Sequence, residues 1–415
     1  MLIVDEVSMV GARTLQAANA RLCQLRDDDY DFGGIPIVLF SGDFRQFPPV
    51  RDNCIARAPE DCSYGRNPNS EYQVKAKRAQ EEAYRLWRRF EHAVVLDEQV
   101  RAAEDVEFQE LLRRIRYGRG TQADVELLNR RCYRPGGRIP WGPGVTVVTG
   151  QNKNRWNLNM EGALALAKRE GLPVHIFVSK HRWPDGGETE TQAAEMLHQG
   201  DDSAHPIPGV FIFVAGMPVV VNSNVYQGLK VVNGATYRAL GVVLDEEAPA
   251  VRIGEHTILH VGSPAGLVLS AESTASLAFI GMEPDTVLVR PTTTTFAAKY
   301  RKWIRQKVVR HGLPCSLGFV YTDHKVQGKT LEFAVLELAG SSRGTQAPQR
   351  CDPFSLYVQL SRCRSLDRIA LLREVRQIDI VGNSMPEWVD QVDGEIERRC
   401  RATVERAERL GWRLG

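Results

Sequence analysis

The chain opens on Met1-Leu2-Ile3-Val4, an apolar run that ends in two carboxylates, Asp5 and Glu6. A short continuous apolar run predicts a strand covered on both faces, as in a parallel sheet. Ser8 is the expected N-cap of a helix whose apolar positions are Val10, Leu15, Ala18, Leu22 and Leu25. Ile35–Phe40 is a second apolar run, and it closes on Ser41-Gly42-Asp43. Strand, helix and strand in this order point to an α/β fold with a parallel sheet. Ligands of such sheets sit at the carboxyl edge, where Asp5 and Asp43 fall.

Composition narrows the class. The 415 residues carry 53 basic and 51 acidic side chains, a formal net charge of +2, with 43% hydrophobic residues. That is ordinary globular material, enough for two to four domains. It excludes collagen-like, disordered and small disulfide-stapled chains. It also excludes a globally polycationic nucleic-acid binder, though not a basic groove on a neutral body. The 8 Cys are scattered, with no Cys-x-x-Cys pair, so reduced thiols in an intracellular protein are expected. The longest apolar run, Val210–Val221, is interrupted by Gly216 and Pro218. It falls short of the roughly 18 residues a membrane span needs. Charges at Asp5 and Glu6 are unlike a secretory leader.

Further along, residues 51–70 read as a loop and Glu71–Phe90 as a charged helix. Ala93–Leu96 reads as a short strand. Helices are expected over 105–117, 122–131 and 153–170, with a strand at 145–148. Residues 183–208, rich in Gly, Pro, Asp, His and Glu, read as a surface insertion. From Gly209 short β-type runs split by Gly and Asn predict a small antiparallel barrel. Asn233-Gly234 is a hairpin signal on its own. Lys299–Arg310 reads as a basic helix, 318–322 and 333–338 as buried strands, 354–361 as a helix and 386–412 as a charged terminal helix.

Four apolar residues followed by Asp-Glu at a strand end form the Walker B pattern. In that setting Asp5 would hold Mg²⁺, usually through water, and Glu6 would orient and deprotonate an attacking water. The bland alternative is a chance Asp-Glu ending a strand. The segment Ser41-Gly42-Asp43-Phe44-Arg45-Gln46-Phe47-Pro48-Pro49-Val50 then follows the second run directly. Gln46 suits a hydrogen bond to a γ-phosphate or its attacking water. The Pro-Pro pair stiffens a turn that would present Phe47 and Pro48 for stacking on a base. The alternative is a plain proline turn with Phe47 in the core.

Together these two segments resemble motifs II and III of superfamily-one DNA helicases, in the branch of the Pif (petite integration frequency) and RecD helicases. Leu96–Arg101, Phe108–Leu112 and Ile115–Gly118 are similar to that family's motif IV region. Tyr321-Thr322-Asp323-His324-Lys325-Val326-Gln327-Gly328-Lys329-Thr330-Leu331 resembles motif V. Tyr357–Leu366 resembles motif VI. The motifs run in order from residue 1 to about 372, with no recognisable match over 51–92 or 183–208.

The resemblance implies ATP and Mg²⁺ as cofactors and single-stranded DNA and DNA duplex junctions as partners. It implies 5′-to-3′ unwinding, roles in repair, recombination and telomere maintenance, a monomer, and a nuclear location in a eukaryotic source. It implies that Arg101 and Arg362 are arginine fingers for the γ-phosphate, a task for a permanent planar cation. Gly42, Asp43, Gln46 and Gly328 join them in the nucleotide cleft. Thr149 and Asn152, at a strand-to-helix junction, and Thr322, His324, Lys325 and Gln327 would touch the nucleic-acid backbone. The basic stretch from Lys299 to Arg310, with Tyr300 and Trp303 interleaved, would either add phosphate contact and stacking or form a solvated helix face.

Gln327-Gly328-Lys329-Thr330 imitates the tail of a P-loop, but position 323 would need Gly and is Asp323, and a strand pattern follows where a long helix is required. No Gly-x-x-x-x-Gly-Lys-Ser/Thr pattern occurs in the sequence. The family places it before the Walker B strand. The expectation is therefore a helicase fragment, RecA-like in fold. Residues 1–96 would end the first motor domain. Residues 97–208 and 311–383 would form the second, 209–310 an inserted SH3-like barrel and 384–415 a terminal helix. The alternative function is an inactive, single-strand-binding remnant of such an enzyme, from a mobile element for example.

Overall fold

The computed structural model describes residues 1–64, 70–133, 139–150, 152–183, 190–197, 205–297, 307–338, 340 and 349–411. Its contacts divide the chain into two compact units, residues 1–137 with 326–415, and residues 138–325.

The first unit begins with β1 (Leu2–Val4), α1 (Ala12–Arg26) and β2 (Val38–Phe40). β1 and β2 pair in parallel, Leu2 opposite Val38 and Val4 opposite Phe40. The expected β-α-β unit is present, but the helix begins later than Ser8. Glu6 adopts a left-handed backbone (φ 52°) that turns the chain out of β1, and Ser8 lies buried in a 3₁₀ turn, Val7–Met9. The helix then starts after Gly11. α2 (Glu71–Arg88) is capped by Ser70, whose side chain accepts the Gln73 amide. α3 (Val106–Arg116) and α4 (Gln122–Asn129) follow, the latter with a Thr121–Asp124 capping box. The strand expected at 93–96 does not form. Among the described residues no strand pairs with it, Val94 and Leu96 are exposed, and the Ala93 amide donates to the Thr403 hydroxyl.

The second unit contains β3 (Val145–Thr149) and α5 (Asn152–Glu170), then β4 (Val174–Val178), β5 (Lys180–Arg182) and α6 (Glu190–Leu197). β6 (Val210–Phe213), β7 (Met217–Val221), β8 (Thr236–Val243), β9 (Ala250–Gly254), β10 (Thr257–Val261), β11 (Gly266–Ser270) and β12 (Thr286–Val289) come next. β13 (Thr292–Ala297), β14 (Lys307–Gly312), β15 (Cys315–Leu317) and β16 (Val320–Thr322) complete its strands. β12-β11-β8-β7-β15 form a five-stranded antiparallel sheet. The other strands of the β-rich segment join partners outside it. β9 and β10 extend the sheet β6-β4-β10-β9, and β13-β14-β5 form a third sheet. One apolar core, including Phe177, Phe211, Met217, Leu267 and Val289, underlies the first two sheets.

Two expectations fail in this unit. Part of the supposed surface insertion is core, because Trp183 and Met196 pack with Phe296 and Val308. The supposed basic helix is, where described, the strand β14; residues 299–306 lie outside the described residues. Strand alternation points Val308 and Arg310 inward. Arg310 is fully buried, donating to His181 Nε2 (2.8 Å) and to the Ile207 carbonyl (2.8 Å), with its guanidinium 4.9 Å from the Phe296 ring.

Chain order returns to the first unit through α7 (Asp323–Val326). It then runs through β17 (Phe333–Leu336), α8 (Pro353–Leu360), β18 (Ile369–Leu371), α9 (Gln377–Ile380) and α10 (Glu387–Arg409). β17 and β18 pair in parallel and are buried. The terminal helix is not an appendage, since Val392, Trp388 and Ile396 pack into the core of Leu15, Phe44, Leu86 and Trp87. The units therefore do not follow the expected boundaries at 96/97 and 383/384: α3, α4 and α10 share a unit with β1 and β2. Among the described residues no helix is long and apolar enough to cross a membrane.

Candidate functional site

The first unit gathers residues from motifs II, III, IV, V and VI at the carboxyl ends of β1 and β2. The Ser41 amide donates to the Val4 carbonyl (2.8 Å) and the Val7 amide to the Ser41 carbonyl (2.9 Å), so the two strand exits are tied together. Gly42 permits this closeness. Its φ is 149°, and a Cβ there would lie 2.7 Å from the Val7 nitrogen. Asp5, exposed at the end of β1, accepts from the Ser41 hydroxyl and the Glu6 amide, and these two hold its carboxyl below the usual range.

Glu6 is not open to solvent on all sides. The Gln327 side-chain nitrogen donates to its carboxylate at 2.7 Å, and the Gln327 oxygen accepts the Phe47 amide at 3.2 Å. Gly328 packs close by; a Cβ there would stand 3.1 Å from Glu6 Oε1. Gln327 thus ties motif II to motif III. Its amide, expected at a nucleic-acid backbone, is engaged by protein in this structure. The expectation for Phe47 is corrected. It is 3% exposed, with the alternative of a core phenylalanine realised, so it offers no face to a base. Pro48 is half-buried.

Motif III is anchored from below. Asp43 accepts from Arg116, which also donates to the Tyr357 hydroxyl (3.1 Å). Arg45, 4% exposed, donates to Asp393 (2.6 Å), Asp390 (2.6 Å) and the Arg116 carbonyl (3.0 Å), and lies over the Tyr117 ring. The sequence reading did not single out this network. Its one signal was an Asp390, Asp393 pair beside the apolar Val389 and Val392 on the terminal helix. Between these anchors Gln46 carries a side-chain oxygen that is buried and has no hydrogen-bond partner among the described residues.

Arg101 donates to the Thr330 hydroxyl (3.0 Å) and the Ser361 carbonyl (2.8 Å). Arg362, 2% exposed, donates to the Val358 carbonyl (2.7 Å) and the Ser361 hydroxyl (2.6 Å). Neither has a carboxylate hydrogen-bonded to it among the described residues. Burial, with the charge of Arg101 second, brings the Arg362 guanidinium down to about 10; Glu6 and Asp43 act on it in the opposite sense. Two guanidinium groups side by side, satisfied by neutral acceptors, form an electropositive spot suited to an oxyanion.

In the second unit, Thr149 and Thr322 end the parallel neighbours β3 and β16, directly opposite each other. Thr149 is fully buried, which corrects its expected contact with a nucleic-acid backbone. Thr322 and Lys325 are half-buried and His324 is exposed, its Nδ1 3.0 Å from Asp323 Oδ1. Asn152 opens α5, but its side chain lies outside the described residues.

Residues 1–126 match the family model described as PIF1-like helicase. The chain is similar to the Pif1-like helicases. It is 24% identical over 390 residues to the ATP-dependent DNA helicase PIF1 of Danio rerio, covering 89% of this chain and 46% of that protein. A shorter stretch of 50 residues, 12% of this chain and 7% of the relative, is 48% identical to the ATP-dependent DNA helicase Pif1 of a Psychrobacter species. The chain thus spans about half the length of the PIF1 relative from Danio rerio. The Pif1 helicase of Candida albicans has the same fold at a TM-score of 0.59 and 19% identity, over 96% of this chain and 76% of that one. The Bacteroides Pif1 helicase in complex with ADP-AlF3 and single-stranded DNA gives 0.59 over 96% and 75%. The fold is that of the RecA-like helicase motors.

These residues fit a nucleotide. The oxyanion spot of Arg101 and Arg362 suits a terminal phosphate. The buried Gln46 oxygen has no donor among the described residues. The ionised Asp5 suits Mg²⁺, which takes one or two carboxylates together with waters and phosphate oxygens.

Proposed function

We propose that the chain carries the carboxylate, glutamine and arginine side of the ATP site, and a DNA-contacting edge, of an ATP-dependent DNA helicase with 5′-to-3′ polarity. The observation that carries this is the meeting, in one compact unit, of Glu6, Asp43, Arg101 and Arg362, so that motif II and III carboxylates act on a buried motif VI arginine. ATP bound there supplies a phosphoanhydride whose cleavage develops charge on the terminal phosphoryl group. Arg101 and Arg362 bind and neutralise that charge. Glu6, released from Gln327, accepts a proton from water, which the Gln46 oxygen orients; Asp5 holds Mg²⁺. Thr322, His324 and Lys325 contact the backbone of single-stranded DNA without regard to sequence. Duplex junctions as substrates, a working monomer, roles in repair, recombination and telomere maintenance, and a nuclear location in a eukaryotic source belong to the same proposal.

A second reading, a single-strand binder without turnover, is favoured by one sequence fact: the 415 residues contain no Gly-x-x-x-x-Gly-Lys-Ser/Thr cradle. One assay separates the two. If the 415 residues need a cradle from elsewhere, purified chain binds oligothymidylate yet hydrolyses ATP at well under about 1 s⁻¹ with or without it. DNA-stimulated turnover above that rate would overturn the second reading. Failure to bind single strands at low salt would overturn both.

A further inference from the structure

A cavity of about 180 Å³ opens in the first unit between α2, α10 and the segment around residues 56–61, away from motifs II to VI. Its charged lining is three guanidinium groups, Arg57, Arg88 and Arg398, against two carboxylates, Asp61 and Glu395. Glu395 is already engaged. It accepts from Arg88 at 2.6 Å and from Arg399 at 2.7 Å. Arg57 donates one terminal nitrogen to the Asp61 carbonyl, but its Nε is buried with no hydrogen-bond partner among the described residues. Arg398 is exposed at the mouth. The aromatic side chains of Tyr84 and Trp388 bound the space on one side.

We propose that this cavity binds a phosphate group. An oxyanion balances the cationic surplus of Arg57, Arg88 and Arg398 over Asp61 and Glu395 through charge-assisted hydrogen bonds. The volume decides the size. About 180 Å³ lies below the roughly 300–1,000 Å³ of pockets that enclose a whole drug-sized ligand, while one water occupies about 30 Å³. A phosphate fits inside; a nucleoside attached to it stays at the mouth. The group comes either as free inorganic phosphate or as the terminal phosphate of a nucleic-acid strand.

The test is calorimetric titration of the full chain with sodium phosphate at low ionic strength. A second series uses oligothymidylate bearing a 5′-phosphate or a 5′-hydroxyl. Saturable phosphate binding is expected, weakened about tenfold or more by Arg398→Glu, a surface change compatible with folding, and by Arg57→Gln. Arg362→Ala is expected to shift it less than about twofold, because that residue belongs to the other oxyanion spot. A preference for the 5′-phosphate that Arg398→Glu abolishes assigns the strand terminus as the source; equal binding of both oligonucleotides assigns free phosphate. The proposal is overturned by absence of saturable binding, by insensitivity to Arg398→Glu, or by a loss that follows Arg362 instead.

Discussion

Two pairs of parallel strands in the same unit carry similar apolar sequence and are packed differently. Beside each other, β1 and β2 cover Leu2, Val4, Val38 and Phe40 only in part and leave Ile3 and Leu39 55% and 51% exposed. β17 and β18 bury Ala334, Val335, Leu336, Ile369, Ala370 and Leu371 almost completely. An apolar run therefore predicts a strand but not the number of faces that are covered. The neighbours decide that. The half-covered pair is also the one whose exits carry Asp5, Glu6, Ser41 and Gly42, so the site rests on the less buried of the two scaffolds.

The largest expected effect is in hydrogen exchange. Amides of residues 2–5 and 38–41 are expected to exchange about a thousandfold faster than those of 333–336 and 369–371 in a monomeric sample, because local opening follows burial. Equal protection would break the comparison. Next come truncations read by denaturant unfolding. Leu336→Ala is expected to cost about 3 kcal/mol and Ile3→Ala under about 1. Ile3→Lys should cost little too, and it should reduce concentration-dependent association if the open face is what sticks. Arg45→Ala, which strips Asp390 and Asp393 of their partner beside the site, is expected to cost about 2–3 kcal/mol, below the value for a fully buried pair because Asp390 is exposed.

The smallest effect is on pH. Asp379 is fully buried and, despite desolvation, is held below the usual carboxylate range by Arg376 and by the Cys351, Arg376 and Gly340 amides. Its folded value lies under its unfolded one, so its contribution is present above about pH 4 and is lost as pH falls through the folded value. Asp379→Asn should flatten that acid limb. Asp5 is also lowered but is exposed and screened, and Asp5→Asn should flatten the limb less than Asp379→Asn does.

Much of the fold was legible in the sequence, because helices α2, α3 and α10 carry a strong 3.6-residue periodicity and Ser70, Asp105 and Thr121 cap α2, α3 and α4. The β-α-β opening and the motif order were legible for the same reason: local pattern was enough. Burial of Phe47 and Thr149 was not, because neither residue type nor spacing reports which tertiary neighbour arrives. Gln327 was assigned to DNA on motif context alone. Its bond to Glu6 spans 321 positions of sequence and has no local signature. Strand β14 was mistaken for a helix because its cations hid a two-residue alternation. The anchoring of Arg45 by Asp390 and Asp393 was missed for want of any pattern linking residues 345 and 348 positions apart.

The DNA-motor reading is tested most directly by fluorescence anisotropy of labelled oligothymidylate with the full chain over a range of salt. Binding is expected at low salt, with the logarithm of affinity falling linearly with the logarithm of salt as counterions are released. Lys325→Ala should weaken binding to every sequence alike and reduce the salt slope by about 1. No binding at low salt, or binding that salt and Lys325→Ala leave untouched, would contradict it.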